Sequence, residues 1–327
     1  MFSIKSTFFS ILLGLTTAYA QDFNPKYANE FLTMGVGADA LGMGSAVVAD
    51  VQGLAAGVWN PAGLLHQTQD IEVGLMHASY FGGLAAFDHL GVSKRLQNQT
   101  VVSANVIRLG VDNIYNTTQL IDNQGNIDYS QLQTFNSADY AIIGSLAKPT
   151  KIQHLSLGLS AKVLYRHIGN FAKAYGFGFD AGLQYRPSKN WSAGMSLRDA
   201  TSTFSAWTYN LSPEMQATLL ETNNELPQNG IEQMLPRIVF GIAGKLPLKS
   251  EKYELGGQLN AEITTDGPRN TLLSGSVFSL DPRAGVYLNY DHKLVFRTGV
   301  SQFQYYQDFD QTQKLGLQPH LGAGVVL

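Results

Sequence analysis

The chain of 327 residues contains no cysteine. That absence removes disulfide frameworks, cysteine-ligated zinc and thiol catalysis together. Charge is scarce as well: Asp, Glu, Lys and Arg make up 14% of the residues, against about 25% in an average soluble domain. A net charge of −3 without a basic run argues against a nucleic-acid surface. Beyond the first twenty residues there is no long apolar run. Mean hydropathy is −0.05, so hydrophobicity is spread along the chain and no helical membrane span is hidden in the average. Catalytic spacings are missing too. His66, His77, His89, His154, His167, His292 and His320 include no pair at the i, i+4 spacing of a helical metal site. No nucleophile elbow occurs, so neither an enzyme nor a metal or other cofactor is expected.

What is present is alternation. Leu155, Leu157, Leu159, Ala161, Val163 and Tyr165 share one face, opposite Ser156, Gly158, Ser160, Lys162 and Arg166. Tyr175, Phe177, Phe179, Ala181, Leu183 and Tyr185 repeat the pattern against Gly176, Gly178, Asp180, Gly182, Gln184 and Arg186. Strand side chains point to opposite sides with period two, so one wall is oily and the other is glycine-rich and charged. Both runs are about twice the usual length of about 5–6 residues for a soluble strand, which fits a tilted bilayer crossing. The fold class implied is all-β, a transmembrane antiparallel β-barrel of the outer membrane, with Lys162, Arg166, Asp180, Gln184 and Arg186 in the lumen. Glycine at 33 residues and aromatics at 11% agree with it.

Residues 1–20 read as a secretory signal peptide, with Lys5, an apolar run from Phe8 to Leu15, and Ala18 and Ala20 flanking Tyr19. Residues 21–69 do not alternate; they are small and suited to packing inside something. Residues 70–327 form the barrel, with about twelve strands expected: 71–81, 84–96, 101–111, 137–148, 154–169, 172–186, 191–203, 236–248, 253–265, 272–291, 294–305 and 315–327. The segments 186–190 and 247–252 look like short periplasmic turns, and 111–136, 204–235 and 305–314 like external loops. The loop 204–235 is the oiliest. Ser212, Pro213 and Glu214 start a helix that puts Met215, Leu219 and Leu220 on one face. Together with Phe204, Trp207, Tyr209 and Leu211 they make a candidate surface for a partner or ligand.

Gly42 and Gly44 flank Met43 without the strand before or the Lys-Ser/Thr after that a nucleotide loop requires, so they are expected to permit close packing. Asn60-Pro61-Ala62-Gly63-Leu64 reads as a turn. The order from Gly37 to Ala46, followed by Trp59-Asn60-Pro61-Ala62-Gly63-Leu64, resembles the amino-terminal signature of the PorV/PorQ family, relatives of the FadL-type channels. Thr203 to Trp207, Glu225 to Asn229, Leu235-Pro236-Arg237, Arg283 to Tyr287 and Phe296 to Val300 resemble later blocks of the same family.

The resemblance implies a barrel of fourteen strands closed by an amino-terminal hatch, here Asn24 to Leu64, in which Gly42, Gly44, Asn60, Pro61 and Gly63 are structural. It further implies an accessory of type IX secretion, whose partners are an outer-membrane translocon and exported proteins with carboxy-terminal sorting domains. The alternative is a FadL-type channel for hydrophobic small molecules, with a bound lipid near Phe204, Trp207 and Tyr209. Twelve strands fall one hairpin short of fourteen. A truncated sequence is the favoured explanation, and a gap or forced seam is expected between 315–327 and 71–81, because an unpaired strand edge in lipid is costly.

Overall fold

The computed structural model describes residues 28–121, 125–248, 250 and 252–326; the expected signal peptide and the start of the expected hatch lie outside them. Fifteen antiparallel strands form one sheet: β1 (Ile71–Tyr80), β2 (Ala85–Arg95), β3 (Val101–Asn116), β4 (Gln133–Pro149), β5 (Leu155–Ile168), β6 (Ala172–Tyr185), β7 (Trp191–Arg198), β8 (Thr203–Tyr209), β9 (Gly230–Met234), β10 (Arg237–Pro247), β11 (Tyr253–Thr264), β12 (Leu273–Ser274), β13 (Ser279–Tyr290), β14 (Leu294–Gln307) and β15 (Gln313–Val325). The wall runs β1 to β7, then β10, β11, β13, β14 and β15, which makes twelve strands. No ladder joins β15 to β1 among the described residues.

The period-two pattern sets the faces. Ser156, Ser160, Lys162 and Gln184 are buried inside, whereas Leu159 is 52%, Val163 56% and Phe177 57% exposed on the outside. This is the outer-membrane arrangement, apolar toward lipid and polar toward the lumen. No helix among the described residues is long and apolar enough to cross a membrane. One end carries the short connections after β2, β4, β6, β10 and β13, and the other carries the long ones.

Residues 28–67 fill the lumen. They fold as a 3-10 turn over Glu30–Met34, helix α1 (Ala38–Gly42), helix α2 (Ala56–Trp59) and a second 3-10 turn over Pro61–His66. The core cluster is built from this inner segment, with Phe31, Val36, Met43, Trp59 and Leu64 packed toward Phe87, Ile107, Ile143 and Leu164 of the wall. Asn60 caps the second turn by accepting from Ala62 N–H, and its Nδ2 donates to Val48 O at 2.9 Å and Leu183 O at 3.0 Å. At the two end strands, Gly37 N–H approaches the Met76 sulfur of β1. Gly42 lies against Gly322 of β15, where an added Cβ would stand 3.1 Å from that Cα.

The long segments read as loops are shorter than expected. β3 and β4 extend past the rim to Asn116 and from Gln133, and β14 and β15 reach to Gln307 and from Gln313. Segment 204–235 is not a loop over the rim. It is the hairpin β8–β9, carrying helix α3 (Pro213–Glu221) at its tip, because Thr203–Tyr209 finds unpaired backbone on β6. The expected strand 191–203 breaks after Arg198, and 272–291 is interrupted between Ser274 and Ser279.

Candidate functional site

The break between β7 and β8 is the least regular part of the wall. Ala181 of β6 pairs with Leu197 of β7, so four residues along β6 an unbroken ladder would bring Phe177 to Thr201. Phe177 instead pairs with Phe204, which means that three residues are inserted. The excursion folds on itself: Asp199 and Ser202 have φ of 54° and 59°, and Ser202 N–H donates to Asp199 O at 2.8 Å. An odd insertion flips the face. Inward residues are even-numbered on β7 (Ser192, Ser196, Arg198) and odd-numbered on β8 (Thr203, Ser205, Trp207).

Asp199 turns into the lumen and is fully buried there. Its carboxylate accepts from Lys162 Nζ at 2.5 Å, Thr203 Oγ1 at 2.6 Å, Asn29 Nδ2 at 2.8 Å and Arg237 Nη2 at 3.1 Å. Lys162 also bridges Asp180 at 2.7 Å. Arg237 reaches Glu262, which accepts from Arg283 at 2.6 Å. The inner segment is tied into the same network. Arg269 donates to Glu30, Arg166 donates to Ala28 O and Glu232, and Arg198 lies 5.0 Å from the centre of the Trp59 ring. Buried charges persist only when paired and hydrogen-bonded. Here that requirement knots the wall break to residues 28–30 and Trp59.

Beyond this knot, toward the long loops, Arg166 stacks 4.9 Å from the centre of Trp207, whose ring stacks on Tyr209. Ser205 Oγ, Trp207 Nε1 and Asn29 Oδ1 are buried without a hydrogen-bond partner among the described residues, so each keeps an unused bonding capacity. Outside, Phe177 and Phe204 face each other at 6.5 Å, both toward lipid.

The expected loop surface is therefore divided. Trp207 and Tyr209 face the lumen, while Phe204 lies on the opposite side of the same strand and is 36% exposed. Leu211, Met215 and Leu219 are half-buried in and beside α3, a helix with no fully buried residue, and Leu220 at 57% leaves their face. The parity of 204 against 207 and 209 already separates them, since odd and even strand positions cannot share a face. Gly42, Gly44, Asn60, Pro61 and Gly63 are all buried in the inner segment. An added Cβ at Gly63 would meet Val51 O at 2.2 Å, and Gly44, at φ +63°, lies against Val300. Lys162, Arg166, Asp180, Gln184 and Arg186 all point inward. Sequence reading missed Asp199, Arg237, Glu262 and Glu30. For Arg237 and Glu262 the available signal was inward parity of a charged strand residue, whereas Asp199 and Glu30 lie off the strands, where parity gives none.

No family model and no curated protein match the chain. Solved structures do. The Ralstonia pickettii toluene transporter TbuX is 15% identical, covers 86% of this chain over 88% of its own, and has a TM-score of 0.48. The CymD monoaromatic hydrocarbon channel is 15% identical over 86% and 85%, with a TM-score of 0.48. The Pseudomonas putida toluene transporter TodX is 13% identical over 82% and 83%, with a TM-score of 0.45. The expectation of a type IX secretion accessory is corrected: the matched structures are toluene transporters and a monoaromatic hydrocarbon channel. No comparison supports the PorV/PorQ assignment.

Proposed function

We propose that this protein is a non-enzymatic outer-membrane channel for uptake of small hydrophobic molecules, with monoaromatic hydrocarbons as the first class to test. The observation that carries the reading is the three-residue break in the wall at Arg198–Thr203, beside a lumen filled by residues 28–67. An apolar solute gains nothing by entering the charge knot around Asp199, because it would separate paired groups and offer no bonds in return. The Trp207 and Tyr209 rings on the long-loop side give it a surface. The broken ladder, lined outside by Phe177 and Phe204, gives it a way toward lipid without crossing the inner segment.

The test is uptake of labelled toluene by cells that lack the gene and carry it back on a plasmid. Restored protein should speed initial uptake several-fold over the empty vector, Trp207→Ala should remove most of that gain, and a labelled sugar should show no difference. Equal toluene rates with and without the protein would overturn the reading.

A further inference from the structure

The short-turn mouth of the barrel holds a cavity of about 390 Å³, at the opposite end of β7 from the wall break and lined by the 186–191 turn, β10 and the underside of the inner segment. Arg186, Lys189 and Lys245 surround it, and Asp50 is the one carboxylate in its lining. Asp50 is already shared: it stands 3.2 Å from Arg186 and 3.8 Å from Lys245. Arg186 further spends Nε on Gln184 and Nη2 on the carbonyls of Asp50 and Val51, leaving Nη1 without a protein acceptor among the described residues. Lys189 is exposed and makes no ion pair among them. Lys245 also lies 4.0 Å from Glu254, outside the lining, so three cations stand against two carboxylates and a local excess of positive charge remains.

The surroundings reinforce it. His66, which lines the cavity, stays neutral, with a pKa pulled down to about 4 by burial first and then by the positive charges of Arg186 and Arg95. Segments 94–100, 148–154, 186–190, 248–252 and 291–293 at this end contain nine Lys or Arg against two acidic residues, whereas 117–132, 210–229, 265–278 and 308–312 at the other end contain eight Asp or Glu against one Arg. An anion is therefore repelled from the long-loop mouth and drawn to the short-turn one. Beside polar Ser188, Asn190 and Ser192, the apolar walls are Pro187, Trp191 and Ala243, which a bare inorganic ion leaves uncovered.

We infer that this cavity is a binding site for a carboxylate carried on a compact apolar body, such as a small aromatic acid, held between Arg186, Lys189 and Lys245 with its ring against Trp191 and Pro187. A guanidinium and two ammonium groups supply the donors that a carboxylate accepts, and the volume lies at the small end of ligand pockets. The site faces the periplasm and is independent of what crosses the wall break.

The experiment is calorimetric titration of the purified full chain in a non-ionic detergent with benzoate, benzyl alcohol and inorganic phosphate. Benzoate should bind saturably at one site, with the neutral alcohol and phosphate each weaker by about tenfold or more. Lys189→Gln, an exposed turn substitution that leaves the inner segment untouched, should weaken benzoate by about three- to tenfold, and adding Lys245→Gln should abolish it. The inference is overturned by an absence of saturable benzoate binding, by equal binding of benzyl alcohol or phosphate, or by a folded double variant that binds benzoate as before.

Discussion

Glycine residues on the inward face are where wall and inner segment meet. A Cβ added at Gly158 would stand 2.2 Å from Ala62 N and Pro61 C; at Gly182, 2.1 Å from Asn60 Oδ1; at Gly194, 2.3 Å from Val48 O; at Gly285, 2.4 Å from Met43 O. The lumen is thus cut to the backbone of residues 43–62, and hydrogen bonds such as those of Asn60 become possible because no side chain intervenes. Gly158→Val should overpack this contact at a cost of about 1–3 kcal/mol, loosening the inner segment without abolishing the barrel. Limited proteolysis checks it: cleavage within residues 28–67 should accelerate. Gly144→Val, on the outward face with nothing within 4 Å of the added Cβ, should leave it unchanged. An equal response of the two variants would mean that the inward face does not set the fit.

At the scale of elements, the sequence shows strands well and interruptions poorly. The unbroken alternation of residues 155–165 and 175–185 places β5 and β6 within a residue or two, because one face must be apolar against lipid all along its length. The break at 198–203 is written more faintly. Its sign is a switch of the inward polar set from Ser196 and Arg198 to Thr203 and Ser205, which only the pairing partner β6 makes visible. The charge knot was half legible for the same reason. Parity sends Lys162 and Asp180 inward, but only the adjacency of β5, β6, β7 and β10 in the wall brings them to Asp199 and Arg237. Among the short elements, the 3-10 turn Pro61–His66 carries a titratable group into the interface, where His66 Nε2 lies 3.3 Å from Ser156 Oγ. Burial, then Arg186 and Arg95, hold its pKa at about 4, below the ordinary 6.5. The folded state thus takes up this proton less readily than the unfolded chain does, so the contribution of His66 to stability is complete above pH 6.5 and is lost as pH falls toward 4. Thermal unfolding should show a decline over that window that His66→Gln removes, and an identical pH profile in the variant would assign the decline to other groups.

At the scale of the whole molecule, the question is whether the inner segment is a fixed plug or a moving part. The contacts argue both ways. The core cluster and the glycine fits hold it by packing, while Glu30, Asn29 and Ala28 hold it through ion pairs and hydrogen bonds that exchange partners readily. If solute leaves by the wall break alone, the segment can stay rigid. If it must make room, a covalent tie to the wall stops transport. The absence of native cysteine makes the test clean. Leu54 of the inner segment packs on Gly74 of β1, with its Cγ 3.9 Å and its Cδ2 2.7 Å from the Cβ that Gly74 would carry, so Leu54→Cys and Gly74→Cys form the pair to cross-link, its disulfide verified by a gel shift before uptake is measured. The lost Leu54 side chain should cost about 2–5 kcal/mol in both redox states, so the reduced protein is the control for folding. Because Asp199 and Trp207 are tied to residues 28–30 and to Arg166 on that segment's loop side, we expect the segment to shift when solute passes. Toluene uptake should then fall to the empty-vector rate on oxidation and return on reduction. Uptake that ignores the disulfide would instead fix the segment as a static filling and leave the three-residue break in the wall as the sole moving element of the path.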